Sequence, residues 1–141
     1  MSREALVDEV WRALAAVVFD NRDSWKRTVI EASGLPFSRI RVLRRLARKA
    51  MSLTEIAEAA TMDAPATTVA VNDLEDRGLV IRTPNPTNRR SKLVSLTDAG
   101  RELNAVIEAI DDPAPKVFEA LTADDLSVLR DILAKLMASP N

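Results

Sequence analysis

The stretch that most limits the possible folds runs from Ser52 to Gly78, SLTEIAEAATMDAPATTVAVNDLEDRG. It opens on Ser52-Leu53-Thr54-Glu55. A serine cap followed three residues later by glutamate satisfies orphan amide groups in both directions at a helix start. The helix that follows is very short, and Thr61-Met62-Asp63 turns the chain. Asp63 or Ala64 caps a second helix with Pro65 in its first turn, where proline's missing N–H costs nothing. That helix runs to about Arg77, and Gly78 stops it. A short helix, a tight turn and a second helix make a helix-turn-helix pattern.

The next segment narrows the choice further. Leu79-Val80-Ile81-Arg82 reads as a short strand, Thr83 to Ser91 as a turn-rich loop, and Lys92-Leu93-Val94-Ser95-Leu96 as a return strand with period-two alternation. A helix-turn-helix followed at once by a two-stranded hairpin is a winged helix. Its second helix can enter a major groove, and its hairpin tip can reach the adjacent minor groove or the phosphates. On the second helix, Thr67, Ala70, Val71 and Leu74 share a side that should be core. Ala66, Thr68, Val69, Asn72, Asp73 and Asp76 then face outward. Asparagine can grip an adenine edge, and Val69 or the Thr68 methyl can touch thymine methyls. Thr68 can equally bond a phosphate, and Val69 can equally be a lone apolar surface residue.

This helix is acidic, with Asp73, Glu75 and Asp76 against Arg77, so attraction to a polyanion has to come from elsewhere. Asn88, Arg89, Arg90 and Lys92, at the hairpin tip and on its return strand, are the candidates. Arginine is favoured in the strong negative potential of a narrow minor groove. The charge distribution agrees. Residues 36–96 carry eleven bases and six acids, whereas residues 97–141 carry four bases and nine acids. A basic middle between acidic ends fits a polyanionic partner or ends that fold back on it.

The flanks read as helices. Val7, Val10, Trp11, Leu14, Val17 and Val18 have helical spacing over residues 4–20, extending toward residue 32 through Trp25, Val29 and Ile30. Ser33-Gly34-Leu35-Pro36 ends that helix. Over residues 37–50, Ile40, Val42, Leu43, Leu46, Ala47 and Ala50 form an apolar face. Opposite lies a stripe of Arg41, Arg44, Arg45 and Arg48 that needs an anionic neighbour, either phosphate or protein carboxylates, or else full solvation. Thr97-Asp98 caps a helix over about 98–111, Asp112-Pro113-Ala114-Pro115 interrupts it, and Thr122 to Asp125 opens a last one. Its apolar positions are Leu126, Leu129, Ile132, Leu133, Leu136 and Met137. The expected class is therefore mainly α with a small β-hairpin. A winged helix-turn-helix over 36–96 is flanked by helical regions, 1–35 and 97–141, that form a dimerisation region.

Absent residues exclude chemistry. The chain has no cysteine and no histidine, which rules out disulfides, Cys or His metal sites, thiol redox sensing and histidine acid–base catalysis. Asp124-Asp125 looks like a pair of helix-dipole partners, with no base or nucleophile converging on it. No enzyme, metal or cofactor is expected. No apolar run approaches the roughly 18 residues of a membrane span, so a soluble, cytoplasmic protein is expected.

LPFSRIRVLRRLA, SLTEIAEAA, LEDRGLVIR and NRRSKLVSLTDAG together resemble the MarR family of bacterial transcription regulators over nearly the whole chain. The resemblance implies a homodimer, double-stranded palindromic operator DNA as partner, usually repression, and relief by a small-molecule effector. The effector would sit in a cleft between dimerisation and DNA-binding regions, with Trp11, Phe19, Trp25 and Phe37 as aromatic candidates; the alternative for all four is ordinary core or interface packing. Two positions depart from the family pattern. Wings of the family usually read Asp-x-Arg, the aspartate orienting a minor-groove arginine; here Asn88 stands before Arg90. The recognition helix often has a basic residue where this chain has Val69. Those departures, with the acidic helix, support a second reading: a winged-helix protein–protein adaptor.

Overall fold

The computed structural model describes residues 1–139. The elements in chain order are α1 (Arg3–Asp20), α2 (Asp23–Ser33), α3 (Phe37–Leu46), α4 (Leu53–Ala60), α5 (Ala64–Asp76), β1 (Val80–Asn85), β2 (Asn88–Leu96), α6 (Asp98–Glu108), a 3₁₀ turn (Lys116–Ala120) and α7 (Ala123–Ala138). They fall into two compact units, one ending at Asp111 and the other beginning at Asp112. The first holds the winged helix-turn-helix. No described helix is long and apolar enough to cross a membrane.

The helix expected to run from residue 4 toward 32 is instead two helices. The cause is Asn21. Its side-chain amide donates to the Val17 carbonyl at 2.7 Å, the oxygen its own backbone N–H would take in a continuing helix. The backbone N–H turns to Val18 instead. An asparagine side chain thus outcompetes the helix ladder. Gly34, at φ +70°, closes α2 in the left-handed conformation.

α3 ends at Leu46, earlier than the apolar pattern implied, and Ala47 and Ala50 are exposed rather than core. The chain has to extend here because Met51 pairs with β2. Met51 N–H donates to the Val94 carbonyl at 3.0 Å, and Val94 N–H donates back at 2.8 Å. Immediately afterwards the Ser52–Glu55 capping box starts α4, with both reciprocal bonds present. α4 ends on Thr61 at φ +54°, a conformation costly for a β-branched residue. Asp63 caps α5 by accepting from Ala66 N–H, and Gly78 at φ +75° follows it.

β1 and β2 pair antiparallel from Val80↔Leu96 to Pro84↔Lys92. Most of the segment expected to be loop, 83–91, is therefore strand. The register then slips, and Asn85 faces Asn88. The base of the hairpin is pinned by Thr97, which caps α6 and donates its hydroxyl to the Gly78 carbonyl at 2.6 Å. A Cβ at Gly100 would collide with the Leu79 carbonyl oxygen. Glycine is what lets α6 start this close to β1. α6 stops at Glu108, short of the expected 111.

The core is built from α2 to α6. Ile40, Leu43, Ile56, Leu74, Val94 and Ile107 are among its fully buried side chains. Each such burial stabilises by about 1.5–3 kcal/mol. Thr67, Ala70, Val71 and Leu74 form the buried face of α5, as its spacing implied. α1 and α7 contribute no buried residue. Val10, Trp11 and Phe19 on α1 and Leu136 and Met137 on α7 are more than half exposed. Leu126, Ile132 and Leu133 are exposed as well.

Candidate nucleic-acid interface

The outward face of α5 is less acidic in effect than in sequence. Asp73, expected to point outward, is half-buried and accepts from Arg39 of α3 at 3.0 Å and from Arg77 at 3.1 Å. The Arg77 and Arg39 hydrogen bonds hold its carboxyl below the usual aspartate range. Glu75 accepts from Arg82 of β1 at 2.7 Å. Among the described residues, only Asp76 on this helix lacks an ion-pair partner. The face left to meet another molecule is Ala66, Thr68, Val69 and Asn72, all exposed. Val69 is 58% exposed. Thr68 donates its hydroxyl to the Ala64 carbonyl at 3.1 Å, which leaves its methyl and an oxygen lone pair available. The Asn72 side-chain oxygen accepts from Arg82 at 2.7 Å.

The hairpin tip carries the opposite sign. The register slip between Pro84 and Asn85 leaves Arg89, Arg90 and Ser91 outside the regular ladder, as in a bulge. Asn85 organises the tip. Its oxygen accepts from the Thr87 N–H and hydroxyl at 3.0 and 2.9 Å, and its amide donates to the Ser91 hydroxyl at 3.0 Å. Asn88 accepts from the backbone N–H of Arg90 at 3.1 Å. It steadies the backbone that carries Arg90 rather than the guanidinium itself, a task that needs no carboxylate. Arg89, Arg90 and Lys92 are exposed, and none has a side-chain partner among the described residues.

The arginine stripe of α3 has a neighbour the sequence did not suggest. Arg45 donates to the Ala59 carbonyl at 3.1 Å, and Arg41 donates to the Ala60 carbonyl. These oxygens form the negative end of the α4 dipole, which favours cations. Arg44 pairs with Glu108 at 3.3 Å. Burial, and then the nearby Arg48, Arg41 and Arg44, push the Arg45 pKa down.

The same arginines line a cleft of about 560 Å³ beside α1 and α2. Phe19, Trp25 and Phe37 line it; Trp11, 65% exposed on α1, does not. Trp25 and Phe37 meet edge to face at 5.9 Å. Arg22 lies 3.9 Å over the Trp25 ring, and Arg44 approaches the same ring at 5.2 Å. Arg22, Lys26, Arg41, Arg44 and Arg45 all reach the cleft, and among the described residues no carboxylate lines it.

Residues 33–91, the segment holding this helix-turn-helix and most of the wing, match the model of the MarR family. An uncharacterized HTH-type transcriptional regulator, YwhA of Bacillus subtilis (strain 168), is 33% identical over 86 residues, 60% of this chain. The alignment spans 62% of that relative's length. A MarR-family transcriptional regulator from Rhodococcus sp. RHA1 superposes with TM-score 0.68 at 27% identity, covering 96% of both chains. The chain is thus similar to the MarR family over residues 33–91, and its fold is that of the Rhodococcus regulator. The fold of E. coli MarR agrees: its wild-type apo form gives TM-score 0.75 at 23% identity, covering 89% of this chain and 94% of that one. A cysteine-to-serine mutant of the same protein was crystallised with operator DNA and gives TM-score 0.67.

Two residues of the interface are not evident in the sequence. Asn85 looked like ordinary turn composition, although an Asn two residues before Thr87 is a recognisable side-chain turn signal. Arg82 looked like a strand residue. Nothing in its local sequence shows that it reaches Asn72 and Glu75 on another element.

Proposed function

We propose that this chain is a homodimeric, sequence-specific, DNA-binding transcriptional regulator, a repressor of palindromic operators relieved by a small-molecule ligand. The observation that carries the DNA reading is the set of three exposed cations on the wing, Arg89, Arg90 and Lys92, without side-chain partners among the described residues, beside a helix whose carboxylates are largely neutralised within the fold. Thr68, Val69, Asn72 and Ala66 supply the groove-facing surface, and residues 36–96 form the DNA-binding part. Operator-bound MarR, although only 22% identical, has the same fold. The acidity of α5 no longer favours the adaptor reading, because Arg39, Arg77 and Arg82 take up Asp73 and Glu75.

The exposed apolar faces in regions 1–35 and 97–141 support dimerisation. Continuous apolar helix faces of this kind mark interaction sites, and two-fold dimers match half-sites about one helical turn apart. The ligand reading rests on the cleft. Cationic side chains and three aromatic rings, with no carboxylate lining the cleft among the described residues, suit a small aromatic anion.

The test is footprinting of duplex DNA upstream of the chain's own gene, followed by affinity measured against salt. A symmetric protected site is expected. Binding should weaken with salt by a log–log slope of about −0.9 per phosphate neutralised. Absent or salt-independent binding would instead establish the adaptor.

A further inference from the structure

We propose that Arg82 is a positioning residue that fixes how Asn72 presents its amide to a base, and so sets which bases that position accepts. The inference rests on the DNA reading above and deepens it. Arg82 stands on β1 with its side chain about one-fifth exposed. One terminal nitrogen donates to Glu75 at 2.7 Å, and the other donates to the Asn72 oxygen, also at 2.7 Å. A guanidinium has donors only, so the amide atom facing it has to be the oxygen. Turning the amide over would set N–H against N–H. The chemistry of the pair therefore imposes the orientation. Glu75, one turn along α5 from Asn72, holds the guanidinium in place.

With its oxygen held, Asn72 keeps Nδ2, which has no partner among the described residues, as the donor on an exposed helix face. In the major groove, guanine N7 and O6, adenine N7 and thymine O4 are acceptors, whereas cytosine offers only its N4 amino donor. The clamped amide selects an acceptor edge and rejects cytosine. Released from Arg82, the amide turns over, and its oxygen accepts from cytosine.

The experiment has two readouts. Sites are selected from a randomised duplex library by the full-length wild type, Asn72→Ala, Arg82→Ala and Arg82→Lys. Independently, the Asn72 side-chain amide resonance is recorded without DNA. Asn72→Ala identifies the contacted position as the one whose preference vanishes. At that position Arg82→Ala should admit cytosine more often, by roughly five- to hundredfold. Preferences elsewhere and the salt slope should hold, since Arg82 touches no phosphate in this scheme. Arg82→Lys keeps the charge but cannot span both partners, so it should relax the same position even if the alanine variant fails to fold. The Asn72 amide resonance should move in both Arg82 variants. Unchanged base selection in the Arg82 variants, or an unmoved Asn72 resonance, overturns the assignment. If the resonance moves but wild type selects no sequence at all, the clamp exists and the DNA reading fails, taking the base-selecting role with it.

Discussion

Helix α5 and the wing handle charge in opposite ways. On α5, Asp73 and Glu75 are each taken up by arginines, two of which, Arg39 and Arg82, come from other elements. On the wing, three cations stand at or near a tip whose hydrogen bonds all organise the backbone and its neutral side chains. On the proposed DNA reading, an electrostatically quiet helix and a bare basic tip would separate two tasks. Phosphate attraction is sequence-independent and salt-sensitive, whereas base reading depends on oriented donors and acceptors. Fixing the helix charges internally keeps them from opposing the wing.

That contrast can be broken most severely at the tip. Replacing Arg89 and Arg90 together by alanine should lower operator affinity on the order of tenfold to a hundredfold at physiological salt and flatten the salt slope. Titration of a labelled operator at several salt concentrations measures both, and a slope equal to wild type would move the electrostatic role away from the wing. Arg90→Ala alone should cost several-fold while leaving the dimer intact.

Asn72→Ala probes the other half of the comparison. It should cost about 1–3 kcal/mol of discrimination at one base position, with the salt slope preserved. Competition between the operator and single-base variants reads this directly. Loss of the slope together with the specificity would mean that the two tasks are not separate.

A smaller effect is expected at Asn85. Asn85→Ala removes three tip hydrogen bonds. It should reduce affinity by a few-fold through loss of tip order, with melting temperature nearly unchanged, because the tip is exposed. A large drop in thermal stability would show that the tip supports the fold rather than the contact.

The smallest change concerns Asp73. Its folded-state pKa lies below the unfolded value. Its pairs with Arg77 and Arg39 therefore stabilise the protein fully above the ordinary carboxylate range, about pH 4. That contribution is lost as pH falls through the lower folded value. Asp73→Asn should flatten the acid limb of melting temperature against pH while leaving operator affinity at neutral pH little changed. An unaltered acid limb would show that these pairs contribute nothing measurable, the common outcome for exposed ion pairs.

What could be read in the sequence was whatever is written locally. The Ser52–Glu55 box, Asp63 with Pro65, Gly78 and the buried stripe of α5 each announce themselves within one or two turns of helix. The break after Asp20 was missed because Asn21 is unremarkable until its side chain takes the Val17 carbonyl. The wing strands were read short, because prolines and asparagines suggested loop where the ladder persists through Pro84. The partners of α3 and α5 were out of reach: Arg39 with Asp73, Arg45 with Ala59 and Arg82 with Asn72 each join separate elements. Sequence patterns showed that the α3 arginines need a negative neighbour. Only the packed structure shows that the neighbour of Arg41 and Arg45 is the end of α4, and that of Arg44 is Glu108.

The two hydrogen bonds between Met51 and Val94 lie on either side of the whole helix-turn-helix. They close α4, α5 and the wing base into one loop, with the recognition helix inside it. In folding terms this closure is non-local, so its entropic cost precedes its reward. The hairpin and each helix can form early, while the assembled reading head forms only once this clasp shuts. The amide protons of Met51 and Val94 should therefore be among the slowest to exchange, opening only when the reading head as a whole unfolds.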